Sequence, residues 1–147
     1  MTTLRNVLAT GLLFFLVHAA SAQELGVRFG DVVGNSVALD ARVNNLHADI
    51  SFGDGLGVEV LWDLLYKPLG NTDLHWYLGA GPAALIDDPF WFGFSGEIGT
   101  EYHFKNAPIA LGADWRPTFW LIDESEFVGG GFGFNVRYVF GSKPASP

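Results

Sequence analysis

The sequence predicts an all-β chain: an eight-stranded antiparallel transmembrane β-barrel, an up-and-down meander over residues 23–140, behind a cleaved signal peptide. Three observations predict it. Apolar and polar residues alternate with period two along nearly all of the chain after residue 23, and no window there has helical periodicity. Mean hydropathy is positive, +0.24, yet no stretch after residue 23 is apolar for long enough to be a membrane helix. The bulky side chains also gather on one face of each strand, while glycine, small residues and charges gather on the other.

The first 22 residues have the layout of an export signal. One positive charge, Arg5, precedes the apolar run Val7 to Ala20, which closes on Ala20-Ser21-Ala22. That small-x-small pattern places cleavage between Ala22 and Gln23. The alternative, an uncleaved N-terminal anchor, is disfavoured because the run is shorter than the roughly 20 residues a spanning helix needs.

The strands follow in order. Strand 1, about 24 to 31, sets Leu25, Val27 and Phe29 against Gly26, Arg28 and Gly30. Strand 2 sets Val37, Leu39, Ala41 and Val43 against Ala38, Asp40 and Arg42. Strand 3 sets Leu46, Ala48, Ile50 and Phe52 against His47, Asp49 and Ser51. Strand 4 sets Leu56, Val58, Val60, Trp62 and Leu64 against Gly57, Glu59 and Asp63, with Leu61 as an exception on the polar face.

Larger side chains appear in the second half. Strand 5 opposes Leu74, Trp76 and Leu78 to His75, Tyr77, Gly79 and Gly81. Strand 6, from Phe90 to Phe104, turns Gly93, Ser95, Glu97, Gly99, Glu101 and His103 to the polar side. Strand 7 runs from Ile109 to Phe119 with Gly112, Asp114, Arg116 and Thr118 on that side. Strand 8 runs from Gly131 to Phe140 with Gly131, Gly133, Asn135 and Arg137 there. Turn residues separate them at Gly34-Asn35, Asn44-Asn45, Gly53-Asp54-Gly55, Pro68 to Asp73, Asp87-Asp88-Pro89, Lys105 to Pro108 and Asp123 to Glu126. Residues 141–147 form a short polar tail.

Volume decides which face points inward. Eight strands enclose a space just wide enough to be filled by their own side chains. The Phe, Trp, Tyr and Leu set would overfill it; the Gly, Ala and Ser set with scattered charges fits. The bulky face therefore looks outward, into lipid. The inner face then carries a charge network of Arg28, Asp40, Arg42, Glu59, Glu97, Glu101, His103, Asp114, Arg116 and Arg137, which would plug the lumen. Arginine suits that place because its planar fork pairs directionally with carboxylates. Trp62, Trp76, Trp91, Trp115, Trp120 and Tyr138 are expected in the aromatic girdles at the membrane interfaces.

Charge and composition exclude other classes. Without Arg5, 7 of the 8 basic residues face all 16 acidic ones, a net charge of about −9, so nucleic acid is not an expected partner. The absence of cysteine excludes disulfides, zinc–thiolate sites and cysteine nucleophiles. Glu97, Glu101 and His103, beside Asp114 and Arg116, have the residue types for acid–base work or a metal. A salt-bridge network is the better reading, because buried charges must be paired. His47 and His75 read as lumenal or rim residues. Ser51 and Ser95 point inward and no His-x-Ser pattern occurs, which argues against a lipid hydrolase. The Gly129-Gly130-Gly131 run precedes no helix, so it is not a phosphate loop and more readily lets the last strand start and bend. No catalytic, cofactor-binding or metal residue is expected.

Three segments resemble a known family. LHWYLGAGPA (Leu74 to Ala83), GEIGTEYHFKNAPIALGADWRPTF (Gly96 to Phe119) and GFGFNVRYVF (Gly131 to Phe140) are similar to small outer-membrane β-barrel proteins of Bacteroidetes-type bacteria. The likeness is most specific in Glu101 to Pro108 and in Asp114-Trp115-Arg116-Pro117. It implies an OmpA- or OmpW-style barrel in the outer membrane of a diderm bacterium, with a final strand whose Tyr138 and Phe140 the barrel-assembly machinery would read. Outer-membrane lipid and lipopolysaccharide are the implied surroundings. Where many such barrels end on the aromatic residue, this chain continues for seven more.

Overall fold

In the computed structural model, the described residues are 3, 5–7, 9, 10, 23–70, 72–122 and 125–140. The expected signal peptide up to Ala22, apart from six helical residues near its start, and the tail 141–147 lie outside them. Among the described residues no helix is long and apolar enough to cross a membrane, which says nothing about crossing with strands.

Ten strand segments form one closed antiparallel sheet. They are β1 (Glu24–Val32), β2 (Asn35–Val43), β3 (Leu46–Gly53), β4 (Gly55–Pro68), β5 (Leu74–Ile86), β6 (Trp91–His103), β7 (Ile109–Trp115), β8 (Thr118–Trp120), β9 (Glu126–Val128) and β10 (Phe132–Val139). Each of β1 to β6 pairs with the next, β7 and β8 both pair with β6, and β9 pairs with β8. β10 pairs with β7 on one side and β1 on the other, from Glu24↔Val139 to Gly30↔Gly133. The result is an eight-stave barrel, because β7 with β8 and β9 with β10 each make one interrupted stave.

The interruptions have a local cause. Sequence alternation reads residues 109–119 as one strand, but Pro117 has no N–H to give to a ladder. Arg116 N instead donates to Gly131 O at 2.8 Å, and Gly96 N donates to Pro117 O at 2.9 Å. Facing this break, a Cβ on Gly131 would lie 2.0 Å from Arg116 O, so only glycine lets the two backbones approach. The outward Trp115 ties the gap by donating Nε1–H to Gly129 O at 2.7 Å.

Two turns differ from the sequence reading. The first hairpin bends at Val33-Gly34, both left-handed (φ 55° and 84°), as a two-residue primed turn requires. A β-branched residue is a poor choice there, but its side chain is buried against Val32, Ala38, Ala83 and Trp120. Asn35, read as a turn residue, instead begins β2 and donates to Ser51 Oγ and Gly55 O. β4 continues past Leu64 to Pro68 because a bulge between Asp63 and Leu65 resets the alternation.

Sidedness is inverted relative to a soluble barrel. Phe134, Leu64 and Phe132 on the outside are 70%, 69% and 68% exposed, whereas Arg28, Asp40, His47 and Asp49 on the inside are fully buried. Leu61, on the polar face of β4, is also fully buried. One end carries the turns at 33–34, 54, 87–90 and 121–125 and is called the hairpin end. The other, the terminal end, holds Gln23, Phe140 and the turns at 44–45, 69–73 and 104–108.

The one apolar cluster among the described buried residues sits inside the hairpin end: Val32, Val33, Ala38, Ala83 and Trp120, with Leu85, Trp91 and Val128 packed on it. Two girdle expectations are thereby corrected. Trp120 shares the inward face of Thr118 and Trp91 that of Gly93, and their rings meet edge to face at 5.9 Å inside the barrel. Trp62 does face outward.

Inner glycines make room for larger neighbours. A Cβ on Gly99 would lie 2.5 Å from Tyr77 Oη and 2.8 Å from Asp114 Cβ. Gly99→Val is therefore expected to cost roughly 1–3 kcal/mol by overpacking. Gly130→Ala, with open space around it, should stay within about 0.5 kcal/mol. Urea unfolding of detergent-refolded protein, followed by tryptophan fluorescence, checks both.

Candidate functional site

The lumen gathers side chains from almost every stave. Registry alone would make it unstable: Asp40 lies opposite Asp49 across β2–β3, and Asp49 lies opposite Glu59 across β3–β4. Directly opposed like charges repel. The arrangement stands because guanidinium groups reach these carboxylates from elsewhere in the ring.

Arg116, at the β7–β8 break, does most of this. Its Nη1 donates to Asp49 Oδ2 at 2.5 Å and to Glu59 Oε1 at 2.9 Å, and it lies within 3.3 Å of Glu97 and 3.2 Å of Asp114. Arg137 of β10 donates from Nη1 to Asp40 Oδ2 at 3.2 Å and from Nη2 to Glu101 Oε2. Arg28 of β1 gives Nε–H and Nη2–H to Asp114 Oδ1, at 2.9 and 2.5 Å, and Nη1–H to Asp31 O at 2.6 Å. Arg42 of β2 holds both oxygens of Glu101 at 3.0 Å and pairs with Asp63, its guanidinium 4.5 Å over the Tyr66 ring.

Imidazoles and phenols complete the network. His47 Nε2 is 2.5 Å from Asp40 Oδ1 and its Nδ1 is 3.2 Å from Glu97 Oε2. His103 Nε2 is 2.6 Å from Glu24 Oε1 at the terminal mouth, where its side chain is 30% exposed. Tyr66 Oη donates to Glu101 Oε1 at 2.5 Å, and Tyr77 Oη donates to Asp114 Oδ2 at 3.3 Å.

All ten residues singled out from the sequence lie in this lumen, nine of them buried and His103 at its mouth. The cluster read on strands 6 and 7 is divided between two levels. Glu97, Asp114 and Arg116 lie together at mid-barrel, whereas Glu101 and His103 meet Arg42 and Glu24 at the terminal end. Glu24 and Tyr66 were not singled out. Counting back by twos from Arg28 would have found Glu24; Tyr66 is hidden from such counting by the bulge after Asp63.

Three groups have ligand atoms close enough to hold a metal: Glu24 with Glu101 and His103, Asp40 with His47 and Asp49, and His47 with Asp63 and Glu97. Two cavities flank the network. One, of about 170 Å³, lies at the hairpin end between Trp91, Trp120, Leu85 and Val128, with Glu59 and Arg116 also lining it. The other, of about 250 Å³, lies at the terminal end beside Glu24, Arg42, Tyr66, Glu101 and His103. They share no lining residue.

No family model, curated protein or solved structure matches this chain. Its chemistry is therefore read from the geometry alone.

A buried ion pair adds little net stability over an apolar isostere, but removing one partner strands the other. Arg116→Met leaves Asp49, Glu59 and Glu97 short of a partner at once. It is expected to lower unfolding free energy by about 3–5 kcal/mol or more, read as a fall in the urea midpoint of detergent-refolded protein. Arg116→Lys, with one point charge in place of a fork, should recover only part of that loss.

Proposed function

We propose that this chain is an integral outer-membrane β-barrel protein with a plugged polar lumen, exported through a cleaved signal peptide, whose role is structural or surface-interacting. The observation that carries this reading is the inverted sidedness. Phe29, Leu39, Phe52, Phe94, Leu111 and Phe134 face outward from a closed barrel whose interior is arginine and carboxylate. In water each such side chain would forgo about 1.5–3 kcal/mol of burial; in hydrocarbon the same face is at home. The staves also close into a ring through β1–β10 and β5–β6, as a spanning backbone demands, although the short β9 at the hairpin end pairs on one side, with β8.

A structural role is supported by the filling of the lumen and by the shortness of the hairpin-end turns, none longer than the segment 121–125. The surrounding partners in this reading are outer-membrane lipid and lipopolysaccharide, with the barrel-assembly machinery acting during insertion. A pore or a carrier of small hydrophobic ligands is the alternative. Both cavities fall below the roughly 300 Å³ at which ligand pockets begin, which favours the plugged reading. A non-catalytic role is supported by the inward serines: Ser51 bonds Asn35 and Ser95 bonds Thr118, neither a histidine.

Cell fractionation followed by paired unboiled and boiled SDS gels tests the proposal. The protein is expected in the outer-membrane fraction, with a band that shifts on boiling, and purified protein should give no conductance steps in planar bilayers. Recovery in the soluble periplasm without a shift would overturn the membrane reading, and discrete conductance steps would replace the plug with a pore.

A further inference from the structure

The lumen holds more negative than positive groups. Eight carboxylates (Glu24, Asp40, Asp49, Glu59, Asp63, Glu97, Glu101 and Asp114) are buried against four arginines. Even with His47 and His103 both protonated, eight negative groups meet six positive ones. Charge withdrawn from water without compensation is costly, so the excess is relieved by a counter-charge or by protons taken up on carboxylates.

Part of the excess is localised. Asp63 on β4 and Glu97 on β6 both lie opposite Gly79 on β5, in one row across the inner wall. Asp63 accepts at Oδ2 from Arg42, and Glu97 Oε2 faces His47 Nδ1 and Arg116 Nε. Their other oxygens, Asp63 Oδ1 and Glu97 Oε1, meet no donor from another residue, although the residues are only 4% and 2% exposed, and the two carboxyl groups lie near enough to share a proton. Both oxygens point to one place: a Cβ on Gly79 would lie 3.0 Å from each of them and 2.7 Å from the backbone oxygen of Trp62. Three oxygens border a space that a side chain at position 79 would close.

We propose that this space binds a hard divalent cation of the calcium type, held by Asp63 Oδ1, Glu97 Oε1 and the Trp62 carbonyl. Two carboxylates and a carbonyl form an all-oxygen set, which suits Ca²⁺ and its tolerance of irregular geometry rather than a nitrogen-seeking metal. His47 is not free to join, because both its ring nitrogens already face carboxylates. A charge of +2 also matches the difference between eight negative and six positive groups. Arg42, which holds Asp63, separates this space from the 250 Å³ cavity at the terminal end.

The test uses the full mature chain refolded in detergent, stripped with EDTA and titrated with CaCl₂. Thermal loss of the unboiled gel band is recorded, and Tb³⁺ serves as a luminescent probe excited through tryptophan and tyrosine. Ca²⁺ is expected to raise the melting temperature, and Tb³⁺ emission should appear and be displaced by Ca²⁺. Asp63→Asn and Glu97→Gln should each weaken Tb³⁺ binding at least roughly tenfold, since even outer-shell changes cost 10–100-fold at metal sites. Gly79→Ala should do the same without changing charge.

Identical melting of the wild type in EDTA and Ca²⁺, with no sensitised emission, overturns the proposal and leaves a proton shared between Asp63 and Glu97. Undiminished Tb³⁺ binding by folded Asp63→Asn and Glu97→Gln overturns it as well, by placing the cation elsewhere. Should the variants fail to fold, the wild-type comparison decides alone. None of these outcomes depends on where the protein resides in the cell.

Discussion

The four carboxylates that meet at Arg116 come from β3, β4, β6 and β7, so one guanidinium joins widely separated parts of the wall. Its position is set by the backbone as much as by its charge. Pro117 stops the ladder, Gly131 lets the opposing chain close in, and the side chain leaves the wall where β7 gives way to β8. An unbroken strand would have satisfied more backbone bonds. The break is tolerated because Arg116 N and Trp115 Nε1 find carbonyls at Gly131 and Gly129. The interrupted staves and the charge network are therefore two consequences of one local sequence, Asp114-Trp115-Arg116-Pro117.

Interior volume is the second constraint, and glycine is how the sequence meets it. Gly133 lies against the guanidinium of Arg28, Gly99 against the phenol of Tyr77, Gly112 against the amide of Asn135 and Gly57 against the hydroxyl of Ser51. These four inner side chains thus each lie over an empty place on a neighbouring stave. The small residues and the charges are complementary halves of one packing scheme, which is why both fall on the same face of every strand.

That pairing also explains what could be read in advance. Period-two alternation, the choice of inward face and the residence of Arg28, Arg42, Arg116 and Arg137 in the lumen follow from local sequence, because each depends on residues two apart. Features that depend on partners distant in sequence were not legible. Val33 accepts a left-handed turn because Trp120 and Ala83 bury it, a contact unseen from residues 32 to 35. Trp91 and Trp120 look like girdle residues by composition, but counting by twos from Gly93 and Thr118 already places both on the inner face; only their meeting there is unseen from local sequence. The division of Glu97 from Glu101 follows from their spacing, since four strand residues separate them by about 13 Å, but which arginine reaches each carboxylate is not encoded along β6.

The two ends of the lumen differ in kind, and this bears on what the protein can transmit. The hairpin end is lined by tryptophan, valine and leucine above Glu59 and Arg116, whereas the terminal end opens onto Glu24, Arg42, Glu101 and His103. A solute crossing from one end to the other would have to part guanidinium–carboxylate contacts at several levels and then displace an aromatic pair. Each parted contact leaves a buried charge unpaired, so the cost accumulates along the path instead of being recovered step by step. The terminal end has no such apolar cluster: Glu24 and Glu101 are paired there with Arg42, Arg137 and His103. The two ends thus present different barriers, guanidinium–carboxylate contacts at one and an aromatic and aliphatic cluster at the other.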